Sequence, residues 1–166
     1  KQPGSVLNKK DGAKMILVPA GSFLMGSTKA EVDAQLRAAG LPEDWKIHTL
    51  DEEPRHKKTL KPFYIYKYEV TNEQYKSFLD ATGHRSPPYW KGKSYPKDKG
   101  RHPVVEVSWD DAQAYCRWAG TRLPSEPQWA YAARGAAPAD GKPSRAYPWG
   151  DNWDRLLCNN SSLHAG

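Results

Sequence analysis

Residues 102–135, HPVVEVSWDDAQAYCRWAGTRLPSEPQWAYAARG, predict more of the fold than any other stretch of the chain. A short strand is expected over 104–107, and it runs directly into Ser108. Ser108 and Asp111 have the spacing of a capping box, in which side chains satisfy the free amides at the start of a helix. The helix is expected to end at Gly120, because glycine readily adopts the left-handed conformation that follows a helix.

Three further segments carry the same pattern of a cap residue, a Glu or Gln three positions later, and a closing glycine. They start and end at Thr28 and Gly40, Thr71 and Gly83, and Ser125 and Gly135. Apolar and aromatic runs predict strands at 15–19, 22–26, 63–66 and 68–70. The first two are expected to pair as a β-hairpin across Ala20-Gly21. The predicted fold class is α+β, with few long regular elements.

The composition excludes several classes of protein. The chain has 166 residues, of which 38% are hydrophobic and 27% charged, with 7 Trp and 9 Tyr. No apolar run approaches the roughly 18 residues that cross a bilayer, and so many aromatic side chains need burial that disorder is excluded. A transmembrane protein and a coiled coil are excluded too. Residues 1–14 are polar and are predicted to be a loose leader.

The net charge of +6 is unevenly distributed. Residues 54–102 carry twelve lysines and arginines against four acids. These cations follow no helical period and match no nucleic-acid-binding motif, so no nucleic-acid partner is predicted. Two interpretations stay open: a solvated face, or a surface that steers an anionic substrate or a membrane headgroup.

The common catalytic motifs, GxSxG, GxGxxG, HExxH and CxxC, are absent from the sequence, and no catalytic residue is predicted.

Cys116 falls on the apolar stripe of its helix, which favours a buried thiol. A Cys116–Cys158 disulfide in an oxidising compartment remains the alternative. Glu69, between apolar residues, is expected to be a buried acid with a structural role. Asp111, in a first helical turn, needs no role beyond capping.

Eight sequence blocks are more informative than any single residue. They are 18–27 (VPAGSFLMGS), 53–56 (EPRH), 63–72 (FYIYKYEVTN), 102–109 (HPVVEVSW), 114–120 (AYCRWAG), 122–129 (RLPSEPQW), 132–135 (AARG) and 147–150 (YPWG). In this order they resemble the formylglycine-generating enzyme (sulfatase-modifying factor) family over about residues 15–160.

The resemblance implies a C-type-lectin-like formylglycine-generating-enzyme fold with sparse regular secondary structure, incomplete at the C-terminus. Residues 15–166 would be the N-terminal part of a single domain, with an inserted helix-loop at about 29–50. Trp109, Trp118, Trp129 and Trp149 lie inside the blocks that build the family's scaffold, so most of the tryptophans are expected to pack. A domain that lacks its second half should also leave apolar surface uncovered.

Active members of this family oxidise a sulfatase cysteine to formylglycine, using oxygen and a copper ion held by a cysteine pair. That pair lies beyond the portion matched here, and neither Cys116 nor Cys158 occupies its positions. Copper is therefore expected only if a missing C-terminal part carries the pair. In some relatives, the cysteine matched by Cys116 forms a disulfide.

The resemblance also implies two binding sites. Tyr89 and Trp90 match an aromatic position beside the family's substrate groove. Asn159 and Asn160 match the first ligands of a calcium site. Independently, the polar, turn-rich stretch 148–160 offers the carboxamide and backbone oxygens that a hard cation prefers.

Two functional hypotheses follow. The first is a formylglycine-generating oxidase acting on a protein or peptide. The second is a non-catalytic binding or assembly module of the same fold. Under either, the resemblance implies an exported bacterial protein, periplasmic or secreted, and a protein partner that completes the fold is a further expectation.

Overall fold

The structure, a computed structural model, describes residues 4–38, 40, 42, 54–136, 145–152 and 154–158. They fall into two compact units, each assembled from two stretches of chain. The first unit combines Lys1–Pro19 with Pro62–Pro124, and the second combines Ala20–Lys61 with Ser125–Gly166.

Strands and helices are mixed, so the predicted α+β class is confirmed. The strands are β1 (Ser5–Leu7), β2 (Lys14–Val18), β3 (Gly21–Met25), β4 (His56–Leu60) and β5 (Phe63–Tyr66). The helices are α1 (Lys29–Ala38), α2 (Asn72–Thr82), α3 (Trp109–Trp118) and α4 (Glu126–Arg134), and a 3-10 turn spans Arg155–Leu157. All four helices lie within the segments predicted from their caps. Among the described residues, no helix is long and apolar enough to cross a membrane.

The first unit contains an antiparallel sheet of three strands in the order β1-β2-β5. Val6 pairs with Met15, and Ile16 pairs with Ile65. The prediction of a loose leader over 1–14 is therefore wrong from Ser5 onward. The leader pairs with the next strand because a tight turn, in which the Gly12 amide donates to the Asn8 carbonyl at 2.9 Å, folds it back.

The predicted hairpin between β2 and β3 is also wrong. Both edges of β2 are occupied, one by β1 and the other by β5, so β2 has no free edge for β3. Instead, β3 pairs with β4 in a two-stranded antiparallel sheet in the second unit, where Phe23 stands opposite Lys58. A strand has only two edges, and distant segments of the chain fill them.

The core of the first unit is aromatic, as the composition predicted. Tyr75 of α2 stacks on Tyr115 of α3, with ring centroids 5.9 Å apart and planes 10° from parallel. Phe78 meets Tyr115 edge-on at 5.6 Å, and Leu79 of the same helix is fully buried. Burial of these rings is the main stabilising term for a core of this kind, at about 25 cal/mol for each Å² of apolar surface.

The second unit packs α4 against its two-stranded sheet. Tyr131 of α4 contacts Phe23 of β3 at a centroid distance of 5.3 Å. Gly21 lies so close to the Tyr131 hydroxyl that an added Cβ would overlap it. Val32 of α1 is almost completely buried. The helix predicted within the 29–50 insertion is thus present, whereas 43–50 lies outside the described residues.

Two short strands predicted from apolar runs are not formed. Over 104–107 the backbone is irregular, because Glu106 adopts a left-handed φ of 55° that no extended strand allows. Residues 68–70 are likewise irregular, and Glu69 is exposed instead of buried. Because 68–70 is not a strand, its side chains do not alternate between a buried and an exposed face. The apolar residues beside Glu69 therefore do not imply that Glu69 is buried.

The four scaffold tryptophans divide into two pairs. Trp118 packs against the core of the first unit, and Trp149 stacks on Tyr147 with ring centroids 5.3 Å apart. Trp109 is 64% exposed and Trp129 is 63% exposed. Val105, Leu156 and Leu157 are exposed as well. The expectation that the scaffold tryptophans pack is therefore wrong for Trp109 and Trp129, and the expectation of an apolar surface left uncovered stays a prediction.

Candidate functional site

The first unit has an open cleft of about 570 Å³ at the start of α2. It is lined by Glu73, Asp98, Gly100, Arg101, His102 and Pro103. Glu73 lies in the first turn of the helix, and the other residues belong to the loop that follows Tyr95. Two carboxylates, a guanidinium and an imidazole thus border the same space.

Asn72, the first residue of α2, fastens this loop to the helix. Its side chain is 1% exposed, and its Nδ2 donates to the Lys99 carbonyl at 2.8 Å. Its backbone amide donates to the His102 carbonyl at 3.0 Å, and the next amide, that of Glu73, donates to the Gly100 carbonyl at 3.0 Å. These amides have no partner within the helix. The loop therefore acts as the N-terminal cap partner of α2.

Gly100 packs closely against the Glu73 side chain. It is buried, and a Cβ at this position would overlap the side chain of Glu73. Asp98 lies just before it with a φ of 64°, a left-handed conformation that aspartate tolerates better than most residues. The path of the cleft wall is therefore set by backbone contacts.

Tyr89, the predicted groove residue, is connected to this site through Asn72. The Tyr89 hydroxyl donates to Asn72 Oδ1 at 2.7 Å, and it accepts a longer bond of 3.4 Å from the Val105 amide. Tyr89 is half-buried. Its binding role remains a prediction, but its hydroxyl belongs to the same hydrogen-bonded cluster as the cleft wall.

Trp90, the other predicted groove residue, lies in the core. It is 6% exposed and packs edge-on against Tyr75 at 6.1 Å and against Tyr95 at 5.4 Å. A ring buried to this extent supports the wall of a groove but offers almost no surface to a substrate. Of the predicted aromatic pair, only Tyr89 has a side chain that is partly accessible.

A second polar cluster joins the end of α2 to the start of α3. Asp111 Oδ2 accepts from the Ser108 amide at 2.9 Å and hydroxyl at 2.7 Å, which completes the predicted capping box. Asp111 Oδ1 contacts His84 Nε2 at 2.7 Å, and Arg85 donates to both carboxylate oxygens. Capping was thus predicted correctly, whereas the contacts to His84 and Arg85 were not foreseen.

The charge state of Asp111 follows from these contacts. Burial opposes ionisation, but hydrogen bonds from Arg85, Ser108 and His84 outweigh it and hold the pKa of the carboxyl well below its ordinary value. The ionised oxygens are fully engaged as acceptors. Because the carboxylate lies between Ser108 and His84, the cluster lacks the order of a nucleophilic triad, in which the base contacts the hydroxyl.

A third cluster surrounds Asp11 in the turn between β1 and β2. Its Oδ2 accepts from the Tyr66 hydroxyl at 2.7 Å and from the Tyr115 hydroxyl at 2.5 Å. Burial, reinforced by the hydrogen bonds to this carboxylate, raises the pKa of both tyrosines. Neutral phenols are therefore maintained at physiological pH, and the cluster is a structural anchor.

The described residues do not provide a copper site. Cys116 is half-buried and forms no disulfide in this structure, and a bridge in an oxidising compartment stays a prediction. Burial raises the pKa of its thiol, so the thiolate that would bind copper is disfavoured. Within the described part of the chain, no group of three or more His, Cys, Asp and Glu side chains could hold a metal. Asn159 and Asn160, the predicted calcium ligands, lie outside the described residues.

Sequence reasoning missed Asn72 and Asp11. Asn72 ended a recognised block, 63–72, but no role was assigned to it. Its position directly after a threonine cap was the available signal, because a polar side chain there reaches the loop that covers the helix start. Asp11 left no comparable signal, because its tyrosine partners are 55 and 104 positions away.

The mixed strands and helices of this chain have a counterpart among solved structures. The structure of PvdO from Pseudomonas aeruginosa matches with a TM-score of 0.56 at 30% sequence identity, covering 80% of this chain and 51% of that one. The class is therefore that of α+β domains similar to PvdO.

The family follows from the sequence match. The chain belongs to the sulfatase-modifying factor enzyme 1-like domain family, whose model covers residues 3–163. The formylglycine-generating enzyme of Streptomyces coelicolor is 32% identical over 201 residues, which cover 95% of this chain and 58% of that protein. The inactive Cα-formylglycine-generating enzyme 2 of Mus musculus is 31% identical over 192 residues, covering 92% and 54%. The chain thus spans about half the length of these curated relatives.

Proposed function

We propose that this chain is the polypeptide-binding scaffold of a formylglycine-generating-enzyme-like domain. The observation that carries the proposal is the match over residues 3–163 to a family that includes formylglycine-generating enzymes about 30% identical to this chain. The cleft between Glu73 and Pro103, with Tyr89 tied to its wall through Asn72, supplies hydrogen-bonding and charged groups for an extended peptide.

The proposed reaction converts the Cβ of a substrate cysteine from thiol to aldehyde. The sulfur leaves as hydrogen sulfide, and of the two oxygen atoms of dioxygen the balance assigns one to the aldehyde and one to water. The substrate supplies half of the electrons that dioxygen accepts, and a pair of external thiols that is oxidised to a disulfide supplies the other half. Soft thiolate ligands for a copper ion would have to come from outside this sequence. The residues of this chain bind and orient the peptide, and no step is assigned to Cys116.

Three finer features belong to the same proposal. The fold is of the C-type-lectin-like kind that the family resemblance implies. Asn159 and Asn160 begin a calcium site that further ligands complete. The protein is exported to the bacterial periplasm or secreted, and its partners are a protein or peptide substrate and a polypeptide that covers the exposed apolar residues.

The test is turnover of a peptide containing Cys-x-Pro-x-Arg by the full-length protein supplemented with copper, followed by mass spectrometry at the cysteine. A mass loss that corresponds to aldehyde formation is expected. Tyr89→Ala should lower kcat/KM roughly tenfold, because losing one hydrogen bond of about 1.4 kcal/mol corresponds to a factor of ten in rate. Tyr64→Ala is the matched control, because Tyr64 is exposed on β5, away from the cleft, and a change below twofold is expected there.

A second candidate function is a non-catalytic binding module. The observation that favours it is that a relative named as inactive is about as similar to this chain as those named as enzymes. Under this hypothesis the wild-type protein binds the cysteine peptide without a mass change, and Tyr89→Ala weakens that binding. Turnover by the wild-type protein would reject the second candidate, and binding without turnover would reject the first.

A further inference from the structure

We propose that residues 91–101, here named the lysine loop, form a docking surface for an acidic polypeptide. Asp98, Gly100 and Arg101 of the loop also line the cleft described above. The proposal goes beyond the proposed function, since it requires no reaction and no binding of a cysteine peptide. It rests on the charge of the loop, on the rigidity with which the core holds it, and on the groups that border it.

The lysine loop has five cationic residues and one acid, Asp98. Its cations are Lys91, Lys93, Lys97, Lys99 and Arg101, and all five are exposed. Within the part of the chain that the structure describes, none of them forms an ion pair. The loop therefore presents a surplus of four positive charges that no neighbouring acid neutralises.

The backbone of the lysine loop is held at several points. Lys91 and Ser94 exchange two backbone hydrogen bonds, each of 3.1 Å. The Tyr95 ring packs edge-on against the buried Trp90. The Lys99 carbonyl accepts from the buried Asn72 side chain. The cationic side chains thus project from fixed Cα positions.

A surplus of positive charge on a fixed backbone lowers the stability of the folded protein, and folding alone does not explain why the loop has it. Like charges that are fixed close together repel one another and destabilise the compact state. The lysine loop is part of the connection 83–108 between α2 and α3, and connections of more than about 12 to 15 residues without secondary structure are uncommon and usually functional. Because the backbone is already ordered, a partner that neutralises the charges avoids most of the entropy cost of ordering the loop.

The surroundings of the loop favour an acidic polypeptide over a nucleic acid. The cleft that the loop partly lines is bordered by Glu73 and Asp98, and their carboxylates would repel a continuous phosphate backbone. Single-stranded nucleic acids also require exposed aromatic faces on which bases stack. The Trp90 ring is buried and Tyr95 packs against it. The carboxylates of an acidic peptide lie on separate side chains, unlike the continuous charge of a phosphate backbone. They can therefore contact the lysines without lying next to Glu73 or Asp98.

The test measures binding by fluorescence anisotropy, using the full-length protein and a labelled peptide of alternating glutamate and serine. Lys97→Glu/Lys99→Glu reverses two charges of the lysine loop and leaves the backbone bond from Asn72 in place. Lys57→Glu/Lys58→Glu is the control, because these lysines are exposed on β4 in the second unit and the change in net charge is the same. Lys97→Gln/Lys99→Gln provides a milder variant, and circular dichroism checks folding.

The wild-type protein should bind at low ionic strength, and added salt should weaken binding, since exposed charges are screened. The loop variant should bind roughly tenfold more weakly, the glutamine variant should fall between it and wild type, and the control should change less than twofold. Equal losses in loop variant and control would show a response to net charge alone and would overturn the proposal. It would be overturned equally by undetectable wild-type binding, or by tighter binding of an oligothymidine of the same charge.

Discussion

At the scale of single residues, Asp11 has an influence that its place near the start of the chain does not suggest. One carboxylate receives hydroxyl hydrogen bonds from β5 and from α3, through Tyr66 and Tyr115. Its other oxygen accepts from the Ala13 amide at 2.9 Å and so shapes the turn between β1 and β2. A single side chain thereby connects a turn, a strand and a helix.

Asp11→Ala should lower the free energy of unfolding by about 2 to 4 kcal/mol, because two hydroxyls in largely buried tyrosines lose their acceptor. Asp11→Asn keeps one acceptor oxygen and should recover part of the loss. Urea denaturation followed by tryptophan fluorescence measures both. Asp80→Ala is the control, since its exposed pair with Lys76 contributes at most about 0.5 kcal/mol. Losses of the same size at Asp11 and Asp80 would contradict the anchoring role.

At the scale of elements, Asp111 couples α2 to α3. It caps the start of α3 through Ser108 and receives His84 and Arg85 from the segment that follows α2. The pKa of this carboxyl is depressed in the folded protein, whereas the unfolded chain has the ordinary value of 3.8. Its stabilisation is therefore fully present above that value. It is lost as the pH falls toward the folded pKa, because only the unfolded chain then takes up a proton.

Asp111→Asn should destabilise the protein by about 1 to 3 kcal/mol at neutral pH, since it weakens the cap and a charge-assisted network. In the wild-type protein, the free energy of unfolding should fall below about pH 4, where Asp111 of the unfolded chain takes up a proton. This fall should be smaller in Asp111→Asn, which has no carboxylate at this position. Urea unfolding across a pH series tests both effects. Asp110→Asn removes the same charge from an exposed neighbour and should leave the acid limb of the curve unchanged. Parallel curves for wild type and Asp111→Asn would argue against the linkage.

A second relation between elements concerns Asn72 and the loop that caps α2. Asn72→Ala removes the bond to the Lys99 carbonyl and the acceptor of the Tyr89 hydroxyl. Trypsin should then cut after Lys97 or Lys99 several-fold faster, because local opening exposes the loop to the protease. Ser77→Ala, an exposed position on the same helix, is the control. Unchanged cleavage in Asn72→Ala would mean that other contacts hold the loop.

At the scale of the whole molecule, the unusual feature is the exposure of large apolar side chains. Trp109 lies in one unit and Trp129 in the other, and both are mostly exposed. Single exposed apolar residues are normal, but exposed tryptophans are the kind of side chain that protein interfaces commonly bury. This is consistent with a chain that spans about half of its relatives.

Replacing both exposed tryptophans by serine should therefore reduce the binding of an apolar fluorescent dye and leave the Tm nearly unchanged, since little burial is lost. Trp90→Ser is the matched contrast. It makes the same chemical change in the core and should cost about 3 to 5 kcal/mol. Dye fluorescence and thermal unfolding measure the two effects. If the double variant unfolded as readily as Trp90→Ser, the two tryptophans would have to be buried in solution.

The success of sequence-based prediction differed between kinds of contact. The helix starts at Thr71 and Ser108 were predicted correctly, because a cap is decided within four residues. The hairpin between β2 and β3 was predicted wrongly, because the partner of a strand is chosen among all the strands of the fold. Tyr89 was found as a motif residue, but its bond to Asn72 depends on packing between separate segments.

The sequence alone determined the family, the helix boundaries and the aromatic character of the core, since each depends on residue identity or on neighbours along the chain. Only the tertiary structure decided that 5–7 form a strand, that Trp90 is buried while Trp109 is not, and that the lysine loop is fixed to α2. The physical reason is that strand pairing, burial and long-range hydrogen bonds depend on which distant segments meet, and the residues of one segment do not specify that.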